Sequence, residues 1–284
     1  MFSPTMFNPT MFNPTPYKIS TITATGSLNS LIDLESFYNE IDVVDAESDG
    51  IIYVEYGKKK SESLSKGYNK KHAIARRKNK ALIKRFDNQA TVIIKTGILS
   101  VNVKVFKNGN VQMTGLKTIE QGRDTVQKIV DAISNIFETK GISVVEDIHK
   151  MVACNYAIRL INSDFRIGIE IKRDKLNQLL RSEYSVSSSF EPCIYPGVKI
   201  QYYWNPKEDT RGVGLGDLED KKITIAVFQS GCIIITGAQQ LDQIDMAYEF
   251  ICSIINDNIK HLQKILPITD KSKSDKSLGL QISA

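Results

Sequence analysis

Apolar and polar positions along the chain fall into short alternating runs and longer runs of helical period, and the same order of runs occurs twice. Val101-Asn-Val-Lys-Val-Phe106 alternates, breaks at Lys107-Asn-Gly109 and resumes as Asn110-Val-Gln-Met-Thr-Gly115, the pattern of a β-hairpin closed at a glycine turn. Ile223-Thr-Ile-Ala-Val-Phe228, Gln229-Ser-Gly231 and Cys232-Ile-Ile-Ile-Thr-Gly237 repeat it at a constant offset of 122 residues, so that Phe106 matches Phe228, Gly109 matches Gly231 and Thr114 matches Thr236. Behind each hairpin the spacing predicts an amphipathic helix. The first covers residues 119–139, with Val126, Ile129, Val130, Ile133, Ile136 and Phe137 on one face; the second covers 242–264, with Met246, Ala247, Phe250, Ile251, Ile254 and Ile255. Each half opens with a strand and a shorter helix: residues 18–25 then 31–41, and 150–161 then 175–184, with Asp174 as N-cap of the latter.

The fold class this predicts is α+β: two tandem repeats, residues 17–141 and 142–266, each a curved antiparallel sheet with a short and a long helix. Val101, Val103, Val105, Val111 and Met113 then face the first long helix, and Ile223, Ile225, Val227, Ile233 and Ile235 the second. The opposite face receives Asn102, Lys104, Phe106, Asn110, Gln112 and Thr114 in one repeat and Thr224, Ala226, Phe228, Cys232, Ile234 and Thr236 in the other. An exposed aromatic at the same place in both repeats fits either a contact between domains or copies, or a wedge into a ligand.

Composition adds one strong feature. Residues 58–85 hold 12 Lys/Arg against one acid, Glu62, which leaves 25 basic and 31 acidic residues elsewhere, a balance of −6. Basicity is therefore a patch inserted in the first repeat, as expected for a polyanion partner or for a solvated lysine-rich insertion. Residues 1–16 repeat Met-Phe-Ser/Asn-Pro-Thr three times and are predicted to form a disordered arm; the polar residues 267–284 are predicted to form a disordered tail. No apolar run reaches the roughly 20 residues of a membrane helix and no signal segment opens the chain, so a soluble intracellular protein is expected.

The hairpin cores, Phe106-Lys-Asn-Gly-Asn-Val-Gln-Met-Thr-Gly115 and Phe228-Gln-Ser-Gly-Cys-Ile-Ile-Ile-Thr-Gly237, together with Ser188-Ser-Phe-Glu-Pro-Cys-Ile-Tyr-Pro-Gly197, resemble the TATA-binding protein family over about residues 17–265. Phe86-Asp-Asn-Gln-Ala-Thr-Val-Ile-Ile94 with the first hairpin is similar to divergent members from large DNA viruses. That family's two-repeat saddle is the standard example of minor-groove wedging. The resemblance implies a non-enzymatic transcription initiation factor that inserts aromatic wedges into the minor groove and bends double-stranded, A·T-rich promoter DNA. Its implied partners are general transcription factors and RNA polymerase, and its implied place is the nucleus or a cytoplasmic viral factory of the host, or the virion.

The implied wedges are Phe106 with Phe86, and Phe228 with Tyr195, and the implied groove contacts include Thr114 and Thr236. Lys18 and Lys150 are aligned with the family's first-strand Asn residues, and Lys104 and Gln112 interrupt the apolar floor of the first repeat where Ala226 and Ile234 keep it in the second. The altered floor leaves a second expectation open: a protein-interaction scaffold of the same fold that binds no specific DNA. Nothing points to catalysis, a cofactor or a metal. Gly212-Val-Gly-Leu-Gly216 precedes a strand and reads as a loop; His72, His149 and His261 are far apart; and Cys154, Cys193, Cys232 and Cys252 form no close pair, as expected for reduced thiols.

Overall fold

The computed structural model of the chain describes residues 12–57, 64–68, 88–208 and 211–264. The first repeat comprises β1 (Lys18–Ser27), α1 (Leu34–Glu40), β2 (Gly50–Tyr56), β3 (Leu64–Gly67), β4 (Gln89–Thr96), β5 (Leu99–Phe106), β6 (Asn110–Leu116) and α2 (Ile119–Lys140). The second comprises β7 (Cys154–Arg166), α3 (Arg173–Ser182), β8 (Ser188–Ser189), β9 (Val198–Trp204), β10 (Lys221–Val227), β11 (Cys232–Ala238), α4 (Leu241–Asp257) and α5 (Ile259–Leu262). The described strands form one antiparallel sheet in the order β3-β2-β4-β5-β6-β1-β7-β11-β10-β9-β8. β1 and β7 meet at the centre, so a pseudo-two-fold axis runs between them and relates the halves.

Pairing fixes which residues are equivalent. Thr25 lies opposite Gln112, and Asp164 lies opposite Ile234. Gln112 and Ile234 are partners at the hairpin offset, so Asp164 is the counterpart of Thr25 and the central strands correspond at an offset of 139 residues. The hairpin turns obey both offsets. Gly109 and Gly231 take φ of +78° and +73°, a conformation that favours glycine. A Cβ on either would collide with a backbone carbonyl, of Ser30 in one repeat and of its counterpart Ile169 in the other. The carbonyls of these glycines accept from Leu28 and Ile167, at 2.9 and 3.0 Å, and so tie each turn to the chain leaving its first strand.

Alternation decides the core. Val103, Val105, Val111 and Met113 are fully buried under α2, and Ile225, Val227, Ile233 and Ile235 under α4. α2 contributes Val126, Ile129, Ile133 and Ile136, and α4 contributes Ile244, Ala247, Ile251, Ile254 and Ile255. Each fully buried Ile is worth roughly 2 kcal/mol relative to exposure. α2 opens on Thr118, whose hydroxyl accepts from the Gln121 amide, and closes on Gly141 in the left-handed region. Both helices therefore lie on one face of the sheet, leaving the opposite, concave face uncovered by them.

Four expectations need correction. The long second helix stops at Asp257, because Asn258 leaves helical geometry and its side-chain amide donates to the Ile254 carbonyl at 2.9 Å. The turn lets α5 return, so that Gln263 bridges Ile171. Asp174 is not the N-cap of α3: the Lys172 amide is held by the Leu262 carbonyl at 2.8 Å, the helix starts after Lys172, and Asp174 sits in its first turn, where its charge favours the helix dipole. Phe137, assigned to the buried face of α2, is 36% exposed near the helix end.

The fourth concerns the arm, which is anchored at its described end. The amides of Asn13 and Thr15 donate to the carbonyls of Ile167 and Arg166 at 3.1 and 2.8 Å, and the Thr15 hydroxyl accepts from the Arg166 amide at 3.1 Å. Pro14, which has no amide proton, falls between the two donors used, so proline does not prevent this strand-like docking. The pseudo-axis supplies the reason: Val152, counterpart of Asn13, donates in the same way to Leu28, counterpart of Ile167, at 3.2 Å. The end of the arm is thus the first repeat's version of the segment that leads into β7.

Candidate nucleic-acid interface

On the concave face the sheet register lines up two transverse rows related by the pseudo-axis. In the first repeat, Thr91, Lys104, Gln112 and Thr25 are successive neighbours across β4, β5, β6 and β1. In the second, Lys199, Ala226, Ile234 and Asp164 are neighbours across β9, β10, β11 and β7, and Lys18 of β1 lies opposite Asp164. A parallel row places Thr114 between Asn102 and Thr23, with Thr236 beside Thr224 in the second repeat. Gln112, Thr114, Ile234 and Thr236, all anticipated, are half-buried in this surface.

Two aromatic rings close the second repeat's end of the face. Tyr195 and Phe228, expected as a pair, have ring centroids 5.7 Å apart and interplanar tilt 57°. Gly197 makes the approach possible, since a Cβ there would lie 3.0 Å from the Tyr195 ring and 3.2 Å from that of Phe228. The Lys199 ammonium sits 4.4 Å from the Tyr195 ring centroid, a cation–π arrangement. Arg173 fastens the two loops together: its guanidinium donates to the Pro196 carbonyl and, at 3.1 Å, to the Gln229 side chain, and it stacks 4.8 Å from the Phe190 ring centroid. At the other end Phe106 is half-buried at the close of β5, opposite Gln89. Its expected partner Phe86 and most of the basic run 58–85 lie outside the described residues. α1 begins with Leu34 where α3 begins with Arg173, so among the described residues the first repeat has no such guanidinium clamp.

The centre of the face departs from expectation. Lys18 occupies the first position of β1 and reaches the Asp164 carboxylate at 3.4 Å, and the Ser20 hydroxyl also donates to that carboxylate. Lys150 is not on β7. It lies in the turn before it, where it pairs with Asp147 at 3.0 Å and, chiefly through that hydrogen bond, holds the Asp147 carboxyl below its usual range. The strand counterpart of Lys18 is Ala157, which lies opposite Thr25 as Lys18 lies opposite Asp164. Sequence reasoning missed Asp164, Arg159 and Lys199. Arg159 donates to the Thr25 hydroxyl at 2.9 Å. The signal available was a charge within Ile161-Asn-Ser-Asp-Phe165, but the expected strand ended at residue 161 and a polar residue, Ser163, occupies the buried face there.

The glycine loop 212–216 turns between β9 and β10. The amides of Leu215 and Gly216 already donate to the Asp220 carboxylate at 3.0 and 2.7 Å, so an anion is held there by the chain itself. Those bonds and the Asn205 amide keep Asp220 ionised below the usual carboxylate range, the Asn205 bond contributing most. Among the described residues no three His, Cys, Asp or Glu side chains gather to hold a metal, and no helix is long and apolar enough to cross a membrane.

Residues 156–258 match the family described as "Transcription factor TFIID (or TATA-binding protein, TBP)". A "TATA-box-binding protein-like" protein of Acanthamoeba polyphaga mimivirus is 32% identical over 260 residues, 88% of this chain and 68% of its own length. The "TATA-box-binding protein" of Methanocaldococcus jannaschii is 24% identical over 178 residues, 61% of this chain and 76% of its own. The solved structure of "Methanococcus jannaschii TBP" superposes with a TM-score of 0.50 at 19% identity, covering 86% of this chain and 99% of that one, and supports the fold. With two pseudo-symmetric repeats, a concave sheet and a viral relative spanning most of its length, this chain belongs to the TATA-binding protein-like family of transcription factors.

Proposed function

We propose that the concave face grips duplex DNA in the minor groove, bends it, and thereby marks A·T-rich promoters for general transcription factors and RNA polymerase. The observation that carries this reading is the Tyr195–Phe228 pair, two rings set against Gly197 at the end of a surface lined with threonines. A planar apolar ring entering a base step replaces part of the stacking it removes, and unstacking costs a few kcal/mol per step. The bend that results brings more of the sheet against the groove. Phe106 plays the same part at the other end, with Phe86 as its partner. Lys104 and Gln112 donate to the A N3 and T O2 acceptors of the groove floor, and Thr114 and Thr236 make the flanking contacts. Lys199 and the run 58–85 neutralise phosphates, with Lys18 and Lys150, each already paired with a carboxylate, at the margin. Binding is accordingly salt-dependent. The names of the mimiviral and archaeal relatives support the same reading.

One observation favours a different reading. A carboxylate, Asp164, stands on the face that would meet a polyanion. A scaffold that receives a basic segment of a protein partner would use it directly. Dye-labelled A·T-rich and G·C-rich duplexes distinguish the two. The parent is expected to bind and shorten the end-to-end distance of the A·T-rich duplex, and the Phe106→Ala/Phe228→Ala variant to lose at least tenfold in affinity together with the bend. A parent that neither binds nor bends either duplex at modest salt leaves the scaffold in place.

A further inference from the structure

We propose that Asp164 reads a guanine amino group, so that the preferred DNA element carries one G·C pair on the second repeat's side of the pseudo-axis; this rests on the minor-groove reading above. The minor groove presents acceptors from all four bases, A N3, T O2, G N3 and C O2, and a single kind of base-edge donor, the 2-amino group of guanine. An ionised carboxylate only accepts hydrogen bonds. Of the base-edge atoms in a minor groove, Asp164 therefore finds a partner in the guanine amine alone, and against an all-A·T floor it would face lone pairs with lone pairs.

Placement makes the contact reachable. Asp164 is opposite Ile234 and Lys18 in the transverse row of the second repeat, on the concave face, with its side chain 29% exposed. Ser20 donates to Oδ1 and Lys18 approaches Oδ2 at 3.4 Å. These bonds aim the group and compensate its charge against nearby phosphates, yet two carboxylate oxygens offer about four acceptor positions, so capacity remains for a base. Ile234 and Ala226 beside it exclude water from the same row, and a charge-assisted hydrogen bond gains strength in such surroundings.

The first repeat has no equivalent. Thr25 occupies the matching position; its hydroxyl is a neutral acceptor, weaker than a carboxylate, and one of its two lone pairs already accepts from Arg159 at 2.9 Å. A guanine is thus welcome on one side of the centre and unassisted on the other, which gives an otherwise near-symmetric saddle a direction on its site.

The test replaces base pairs of an A·T-rich duplex one at a time by G·C and by inosine·C, which lacks only the 2-amino group. Each duplex competes for the full chain, and bending is recorded alongside. At one position on the second repeat's side the parent should prefer guanine to inosine about tenfold, within the range of a single good base contact. No such preference should occur at the mirror position. Asp164→Ala should erase the preference, and Asp164→Asn, which preserves shape and the Ser20 bond, should reduce it to about threefold or less. Thermal unfolding of both variants guards against a simple folding defect. If the parent binds and bends DNA but treats guanine and inosine alike everywhere, or if Asp164→Ala keeps the preference, this inference fails while the minor-groove reading stands. If no duplex is bound or bent, both fail together.

Discussion

Behind the sheet the two repeats are nearly interchangeable, while on its concave face they are not. Val103, Val105, Val111 and Met113 match Ile225, Val227, Ile233 and Ile235, all eight fully buried. Directly across the strands, Lys104, Gln112 and Thr25 match Ala226, Ile234 and Asp164. The buried face answers to packing, where even one methylene is felt. The concave face answers only to what it meets, so two copies of one unit have diverged there into a polar half and an apolar half with a charge at either edge, Lys199 and Asp164.

The sharpest way to break that comparison is to change one residue on each side of the same strand. Ile235→Ala leaves a cavity under α4 and is expected to cost about 2–5 kcal/mol in urea unfolding. Ile234→Gln, which brings in the side chain found at position 112, should stay within about 1 kcal/mol of the parent, since it alters a half-buried surface position. Equal losses would mean that the concave face is structural and not a working surface.

A smaller effect concerns how the saddle sits. If the polar and apolar floors set its orientation, Lys104→Ala with Gln112→Ile makes the first repeat resemble the second. Losing two groove contacts of about 1 kcal/mol each should lower the orientation bias by roughly tenfold or more. A cleavage reagent tethered near one lobe reads this directly: a one-sided pattern in the parent should become nearly two-sided. An unchanged footprint would assign direction to other residues, Asp164 first among them.

The hairpins, both long helices and the repeat itself were legible because alternation and helical period report burial, and burial is what made the fold. The pairing of Tyr195 with Phe228 was legible through the resemblance. The centre of the face was not. The strand expected over 150–161 is β7 over Cys154–Arg166, so Lys150 only precedes the strand expected to hold it, and Asp164 falls beyond the expected end, where the buried Ser163 breaks the apolar alternation that would have shown its face. The docking of residues 13–15 was equally hidden, because a proline-bearing segment reads as free until the carbonyls of Arg166 and Ile167 are seen to await its two amides. Asp174 failed as a cap for a tertiary reason, the hold of α5 on Lys172.

The least costly test of the comparison uses a pair of tyrosines. Tyr17 and Tyr156 are counterparts at the 139-residue offset, and the helix residues that face them are also counterparts at 122: Asp245 accepts from the Tyr17 hydroxyl at 2.6 Å, whereas Arg123 lies 5.5 Å from the Tyr156 ring centroid. Burial pushes Tyr17 up to about 12, helped by the hydrogen bond and negative charge of Asp245. Burial also raises Tyr156, but there the charge of Arg123 opposes the rise. In both cases the fold favours the neutral phenol, so the stabilisation is complete below the unfolded value near 10 and is lost as pH climbs through the folded value. In an ultraviolet titration, Tyr17→Phe should remove a step near pH 12, and Tyr156→Phe a step at lower pH. Asp245→Asn should move the Tyr17 step downward while leaving that of Tyr156 in place. The hydrogen bond, made to a carboxylate at the surface, is worth about 1–2 kcal/mol, so Tyr17→Phe should lower the unfolding midpoint by only a few degrees. A Tyr17 that ionises at the same pH as Tyr156 would show that the charge contrast between the repeats ends at the concave face.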